Sequence, residues 1–187
     1  AFWADWIGSC SDRGPWTDAV KRSLLTLKAL TYRPTGGIVA APTTSLPEAL
    51  GGSRNWDYRF CWLRDSALLL TALTGAGFLE EAAAWRDWLI RAVAGSPDQV
   101  QIMYGVAGER ILTETELPWL PGYAESRPVR IGNGAAGQSQ LDVLGEVIDA
   151  LFQAHQRGLE PSATGWALAR AIMGHLEEVW RRPDHGI

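Results

Sequence analysis

An all-α fold is what this sequence predicts, on three observations. Five segments repeat apolar residues at helical spacing, short and long connections alternate between them, and no apolar run is long enough for a central parallel sheet. The first helix spans about Asp18 to Thr31, with Val20, Leu24, Leu27 and Leu30 on one stripe and Thr17 or Asp18 able to cap its start. Tyr32-Arg33-Pro34-Thr35-Gly36-Gly37 ends it, since Pro and Gly do not continue a helix. Residues 38–61 lack helical periodicity and read as a long structured loop, with a short strand over Ile38–Ala41. A second helix runs from about Leu63 to Thr74 and is closed by Gly75 and Gly77. The third covers Leu79 to Val93, with Trp85, Leu89 and Val93 on one stripe.

Residues 95–137 form a second long loop region, holding a plausible strand in QIMYGV and the aromatic, proline-rich stretch LPWLPGYAESRPVRIGN. The fourth helix is expected from about Ala136 to Gln156, stopped by Gly158. The fifth starts after Pro161 and Ser162, reaches about Arg181, and is followed by a loop at Pro183–Gly186. Helices stacked as antiparallel hairpins would bring the long loops together at one end, where a site built from loops would lie.

Composition removes several functions. The chain has 187 residues, 17 basic against 21 acidic, and a net charge of −4. A mildly acidic protein is not built to neutralise phosphates, so nucleic acid is not an expected partner. No apolar run approaches the ~18 residues of a membrane span, so no membrane partner is expected either. Cys10, Cys61 and three scattered histidines show no metal-ligand spacing, and no metal or cofactor is expected. Cysteine usage leaves the compartment open, with a lean towards a reducing, cytoplasmic one. Ten tryptophans are many for this length. Their flat faces suit stacking on sugar rings, although core packing is the commoner use of any single one.

The densest chemistry lies in Asn55-Trp56-Asp57-Tyr58-Arg59-Phe60-Cys61-Trp62-Leu63-Arg64-Asp65-Ser66, which joins a long loop to a helix. It carries two Arg, two Asp and four aromatics. A solvated loop has no need of four aromatics, and a core accepts four charges only when they are paired and hydrogen-bonded. Aromatic faces beside paired charges are what a neutral polyol asks of a site, because carboxylate and guanidinium grip vicinal hydroxyls. A structural reading fits the same residues: Asp65 in the first turn of its helix as a cap, and Arg64 paired with Asp57.

NWDYRFCWLRDSALLL resembles the signature of glycoside hydrolase family 15, which holds glucoamylases, glucodextranases and a bacterial trehalase branch. GGIVAAPTTSLPEALGGSRNWDYRFCWLRDS, QIMYGVAGER with the following LPGY, and PVRIGNGAAGQSQLDVLGEVIDAL resemble bacterial members in the same order, over nearly the whole chain. The resemblance implies that Arg64 and Asp65 bind hydroxyls of the non-reducing-end glucosyl unit. It implies that Tyr58 lies near the reacting centre and that Trp62 helps to wall the pocket. It also nominates Arg130 and Asn133 on the pocket rim, and Trp119 for an outer sugar site. Gln138, Gln140, Asp142 and Glu146 open the fourth helix; helical spacing puts Gln138, Asp142 and Glu146 on one face, which fits either a polar pocket wall or a solvated face, with the solvated face favoured for Glu146.

The implied fold is an (α/α)6 toroid of helical hairpins with its long loops at one end. Twelve helices need on the order of 400 residues, so residues 1–187 are expected to be its N-terminal half, an incomplete ring. Apolar helix faces left exposed would favour oligomers. Family members run the loop that begins here as Pro183-Asp184-His185-Gly186-Ile187 into a Trp-Glu pair, whose glutamate is the general acid. The acid is therefore expected two positions past Ile187 and the general base further downstream. Inverting hydrolysis needs both carboxyl groups, roughly 6.5–9.5 Å apart, so the 187-residue chain alone is expected to be inactive. The implied parent is an exo-acting α-glucosidase whose partner is a small α-glucoside or oligosaccharide. Two other readings stay open: a non-catalytic carbohydrate-binding or regulatory domain of the same fold, and a helical-repeat interaction scaffold.

Overall fold

The computed structural model describes residues 2–93 and 99–183. The end of the expected loop at Pro183–Gly186 lies outside the described residues. The elements run α1 (Phe2–Gly8), α2 (Thr17–Ala29), β1 (Thr31–Tyr32), β2 (Gly37–Ile38), β3 (Cys61–Trp62), α3 (Leu63–Gly75) and α4 (Leu79–Ala92). They continue with β4 (Met103–Tyr104), β5 (Thr115–Glu116), β6 (Arg130–Ile131), α5 (Leu141–Gln156) and α6 (Ala163–Val179). The chain is mostly helical. Three two-stranded antiparallel ribbons, β1–β2, β3–β4 and β5–β6, tie the long loops together.

The two tight hairpins close by the same device. At the end of α3, the Phe78 N–H bonds back to Leu73 O (2.9 Å) around Gly77 at φ +94°. At the end of α5, the Leu159 N–H bonds to Ala154 O (3.0 Å) around Gly158 at φ +103°. A glycine in the left-handed region lets the chain reverse while the last carbonyls stay satisfied. Ser162 then caps α6, its Oγ accepting from the Gly165 N–H at 3.1 Å.

α3 is the hub. Leu63, Ala67, Leu69, Leu70 and Leu73 are buried over most of its circumference, and α5 packs against it through Val143, Leu144, Val147 and Ala150. A helix buried on several sides belongs at the centre of a bundle. α4 adds the fully buried Trp85 and Trp88, and Trp88 lies edge-on to Tyr104 with ring centroids 6.0 Å apart.

Four local expectations are corrected. α1 was not visible in the sequence because seven residues are too few to show a period. It is held by Trp6, which stacks on Phe78 at 4.0 Å and donates from Nε1 to Glu81 Oε1 at 2.8 Å. Neither Thr17 nor Asp18 caps α2, whose cap position is Trp16. The Thr17 hydroxyl is already committed to Asp12 Oδ2 (2.9 Å) and Gly14 O (2.7 Å). α5 starts at Leu141 rather than Ala136, because Gly134–Gly137 forms a separate 3-10 turn capped by Asn133 and the chain then extends through Gln140. The short strand is at Gly37–Ile38. Ala40 and Ala41 instead donate to Phe60 O and Tyr58 O, both at 3.0 Å, which draws the signature segment onto the bundle.

Candidate active site

β3 leads into α3 without a loop, so Trp62 is both strand end and helix cap position, extended at φ −74°, ψ 126°. Pairing of Cys61 with Tyr104 and of Trp62 with Met103 buries the β3 side of this junction. The next turn points outward. Arg64 and Asp65 are partly open to solvent, with Arg64 Nη2 and Asp65 Oδ2 3.6 Å apart. The Arg64 guanidinium lies over the Trp62 ring at 5.8 Å from its centroid. Its Nη1 donates to Gln140 Oε1 at 3.2 Å. Gln140 is the residue before α5 and Arg64 is in the first turn of α3, so the two helices run parallel with their N-termini at one end. Both long loops meet there.

Burial raises the Asp65 carboxyl above the usual carboxylate range, against the lowering effect of the Arg64 charge. Tyr58 is half-exposed, and its phenol is raised by burial first and by the Glu48 charge second, with a smaller contribution from Asp65. Two buried polar atoms here have no hydrogen-bond partner among the described residues, the Trp62 indole N–H and Asp65 Oδ2, the latter in its longer 3.6 Å contact with Arg64. A donor and an acceptor without hydrogen bonds at one strand-to-helix junction leave it room for further polar partners.

Arg64 does not pair with Asp57, the structural alternative raised by the sequence. Asp57 is fully buried and takes Arg59 in a two-pronged grip, Nε to Oδ1 at 2.9 Å and Nη2 to Oδ2 at 2.8 Å. It also accepts from the Gly132 N–H at 3.1 Å. Asp65 lies in the first turn of α3, where its carboxyl takes a hydrogen bond from its own backbone N–H, while the cap position itself is Trp62 and makes no side-chain cap bond. Of the four charges of the signature only Asp57 is fully buried; Arg59, Arg64 and Asp65 each keep part of the side chain in solvent.

The other nominated residues lie around this knot. Asn133 is buried, its Nδ2 donating to Asp57 O (3.0 Å) and its Oδ1 accepting from the Ala135 N–H (3.0 Å). Arg130 stacks on Trp56 at 4.6 Å, donates to Ser53 O at 3.0 Å, and pairs with Glu114 and Glu116 at 3.2 Å each. The polar atoms of both serve the two loops. Trp119, 72% exposed, stands on the outer face of the loop between β5 and β6. Of the face expected on the fourth helix, Gln138 lies outside α5, Asp142 is exposed and Glu146 half-buried. Gln140, named from the sequence only as one of the residues opening the fourth helix, was given no place in the site. Placing the helix start at Ala136 turned it into one more surface position, whereas an extended GQSQ entering a helix at Leu141 would have singled it out.

Two cavities flank the junction. One of ≈ 320 Å³ lies between α2, β2 and α3 and is apolar except for Asp65 and Ser66. The other, ≈ 60 Å³, is lined by Gln101, Gln138, Gln140 and His175 among others. The Arg64 face itself is open surface.

The family model for glycosyl hydrolases family 15 matches residues 14–187. The chain belongs to glycoside hydrolase family 15. It is 45% identical over 191 aligned residues to a trehalase of Mycolicibacterium smegmatis, covering 99% of this chain and 28% of that protein. A trehalase of Mycobacterium tuberculosis is 43% identical over the same shares. One of Thermoplasma volcanium is 38% identical, covering all of this chain and 30% of the relative. The chain therefore spans less than a third of the length of these curated relatives. No solved structure matches it.

Proposed function

We propose that residues 1–187 form the glucose-gripping, N-terminal half of an (α/α)6 toroid in an inverting, exo-acting α-glucosidase, with α,α-trehalose as the first substrate to test. One observation carries this reading. An opposite-charge pair, Arg64 and Asp65, is partly open to solvent at the shared N-terminal end of α3 and α5, on an aromatic base, with Asp65 Oδ2 and the Trp62 indole N–H lacking hydrogen-bond partners. Arg64 donates to adjacent hydroxyls of a glucosyl unit and Asp65 accepts from them, while Tyr58 stands over the reacting side and Trp62 forms the wall. Arg130 and Asn133 fix the rim through Asp57 and Trp56, and Trp119 offers a face to the outer sugar. The two catalytic glutamates are not among these residues, the acid being expected just past Ile187. The relatives' name, trehalase, supports the choice of substrate. The parallel packing of α3 and α5 supports the ring of hairpins.

Titration of the 187-residue chain with trehalose and glucose, followed by ligand-observed NMR, tests the reading. Binding should be weak and should disappear in Arg64→Ala and in Asp65→Ala. Binding unchanged in both variants removes the pocket assignment, and saturable hydrolysis of trehalose by the chain alone removes the placement of the acid.

A further inference from the structure

A guanidinium on a flexible stem grips a sugar well only if it is already aimed, because each rotatable bond frozen on binding costs affinity. Arg64 is about one-third exposed and its contact with Asp65, at 3.6 Å, is longer than a hydrogen bond. The Trp62 ring beneath it restricts height but not rotation. Among the described residues, the one short polar contact on this guanidinium is to Gln140 Oε1, at 3.2 Å.

Gln140 is well placed to act as a stop. It is 7% exposed, and its own amide is oriented by donating from Nε2 to Gln138 Oε1 at 2.8 Å. The donor end is used on Gln138 and the acceptor end on Arg64, so only one orientation of the amide satisfies both. Behind it lies the ≈ 60 Å³ polar cavity, large enough for one or two waters. Being neutral, the amide holds Arg64 without setting a second negative charge beside Asp65.

We propose that Gln140, held by Gln138, is a positioning residue that aims Arg64 at the sugar. This rests on the reading of Arg64 and Asp65 as the glucose grip. Gln140 itself touches no sugar.

The test compares two buried replacements in the full 187-residue chain, using trehalose as the probe. Gln140→Leu removes the acceptor and is expected to weaken binding about tenfold, the scale of one lost hydrogen bond to a charged group, with circular dichroism unchanged. Gln140→Glu keeps an acceptor oxygen in place and is expected to retain more affinity than Gln140→Leu. A residue that only packs the start of α5 would give the reverse order, since Leu is tolerated in a buried position better than a carboxylate. Arg64→Ala separates the two levels of the argument. Loss of binding in Arg64→Ala with none in Gln140→Leu overturns the positioning role and leaves the grip standing. Binding indifferent to Arg64, or absent from the unsubstituted chain, overturns both. Should Gln140→Leu fold poorly, Gln138→Leu decides, because it frees the Gln140 amide at a half-buried position outside α5 while leaving the acceptor in place, and affinity unchanged there contradicts the role.

Discussion

Replacing Asp57 by alanine tests whether the loop end of the molecule is organised as described. The carboxylate is fully buried and accepts four hydrogen bonds: three from Arg59 (its N–H at 3.1 Å, Nε at 2.9 Å, Nη2 at 2.8 Å) and one from the Gly132 N–H at 3.1 Å. The Arg59 side chain is 45% exposed, so in the variant it regains water and its share of the loss is discounted to about 1 kcal/mol. The Gly132 and Arg59 backbone donors are left unmatched, at about 1–3 kcal/mol for a buried group. These contributions come to about 3–7 kcal/mol, and the range found for breaking one side of a buried pair narrows the expectation to about 3–5 kcal/mol. For a chain of this size that lowers Tm by roughly 6–20 °C, at about 2–4 °C per kcal/mol. Thermal unfolding followed by circular dichroism gives the number directly. A Tm within about 3 °C of the parent would mean that Asp57 does not hold the two loops together and that the signature segment is placed by something else.

Two further outcomes follow from the same geometry. Glu81 is buried and accepts from Lys28 Nζ at 2.7 Å and from Trp6 Nε1 at 2.8 Å; Glu81→Ala should cost about 3–5 kcal/mol and expose α1 to limited proteolysis, whereas an unchanged cleavage pattern would deny that this contact docks α1. Asp65 has a folded-state pKa raised by burial, so the folded chain holds its proton more tightly than the unfolded one. Its contribution therefore falls as pH rises from below the ordinary carboxylate value through the raised one. Asp65→Asn should flatten this fall in a Tm-versus-pH series while removing trehalose binding, and a steeper fall in the variant would contradict the sign.

The helices were legible in the sequence where apolar period and a stop signal agreed. α3, α4 and α6 start and end within about two residues of expectation because Gly77, Gly158 and Ser162 are local devices, needing nothing from the rest of the chain. α5 failed at its start because the two alanines of GNGAAG, its only good helix formers, are spent on a turn anchored by Asn133 to Asp57, 76 residues away in the chain. The candidate site divides the same way. That Arg64 and Asp65 share a helix turn follows from adjacency. That Asp57 belongs to Arg59, that Arg130 is spent on Glu114, Glu116 and Trp56, and that Gln140 meets Arg64 all depend on which loops come together. Spacing along one segment carries no such information.

The last prediction concerns the face on the opposite side of α5. Between α5 and α6 a groove of ≈ 300 Å³ is lined by Ile148, Leu151, Phe152, Leu159, Trp166 and Ala169, and Phe152 and Trp166 are more than half exposed. Two such rings set against a like pair in a second copy remove roughly 400 Å² of apolar surface from water, using about 200 Å² per buried ring pair on each side. At about 25 cal/mol per Å² that contributes about 10 kcal/mol, against an association cost of at least ~4 kcal/mol. With the smallest such cost about 6 kcal/mol remains, so tens of micromolar is the tightest Kd this surface allows. Sedimentation velocity over a concentration series should therefore show the 187-residue chain passing from monomer to dimer, and Trp166→Lys should hold it monomeric. A chain that sediments as a single monomer at several times that concentration, and melts as sharply as a closed domain, would show that this face does not drive association. The apolar groove would then need another explanation, such as a ring narrower than the one proposed.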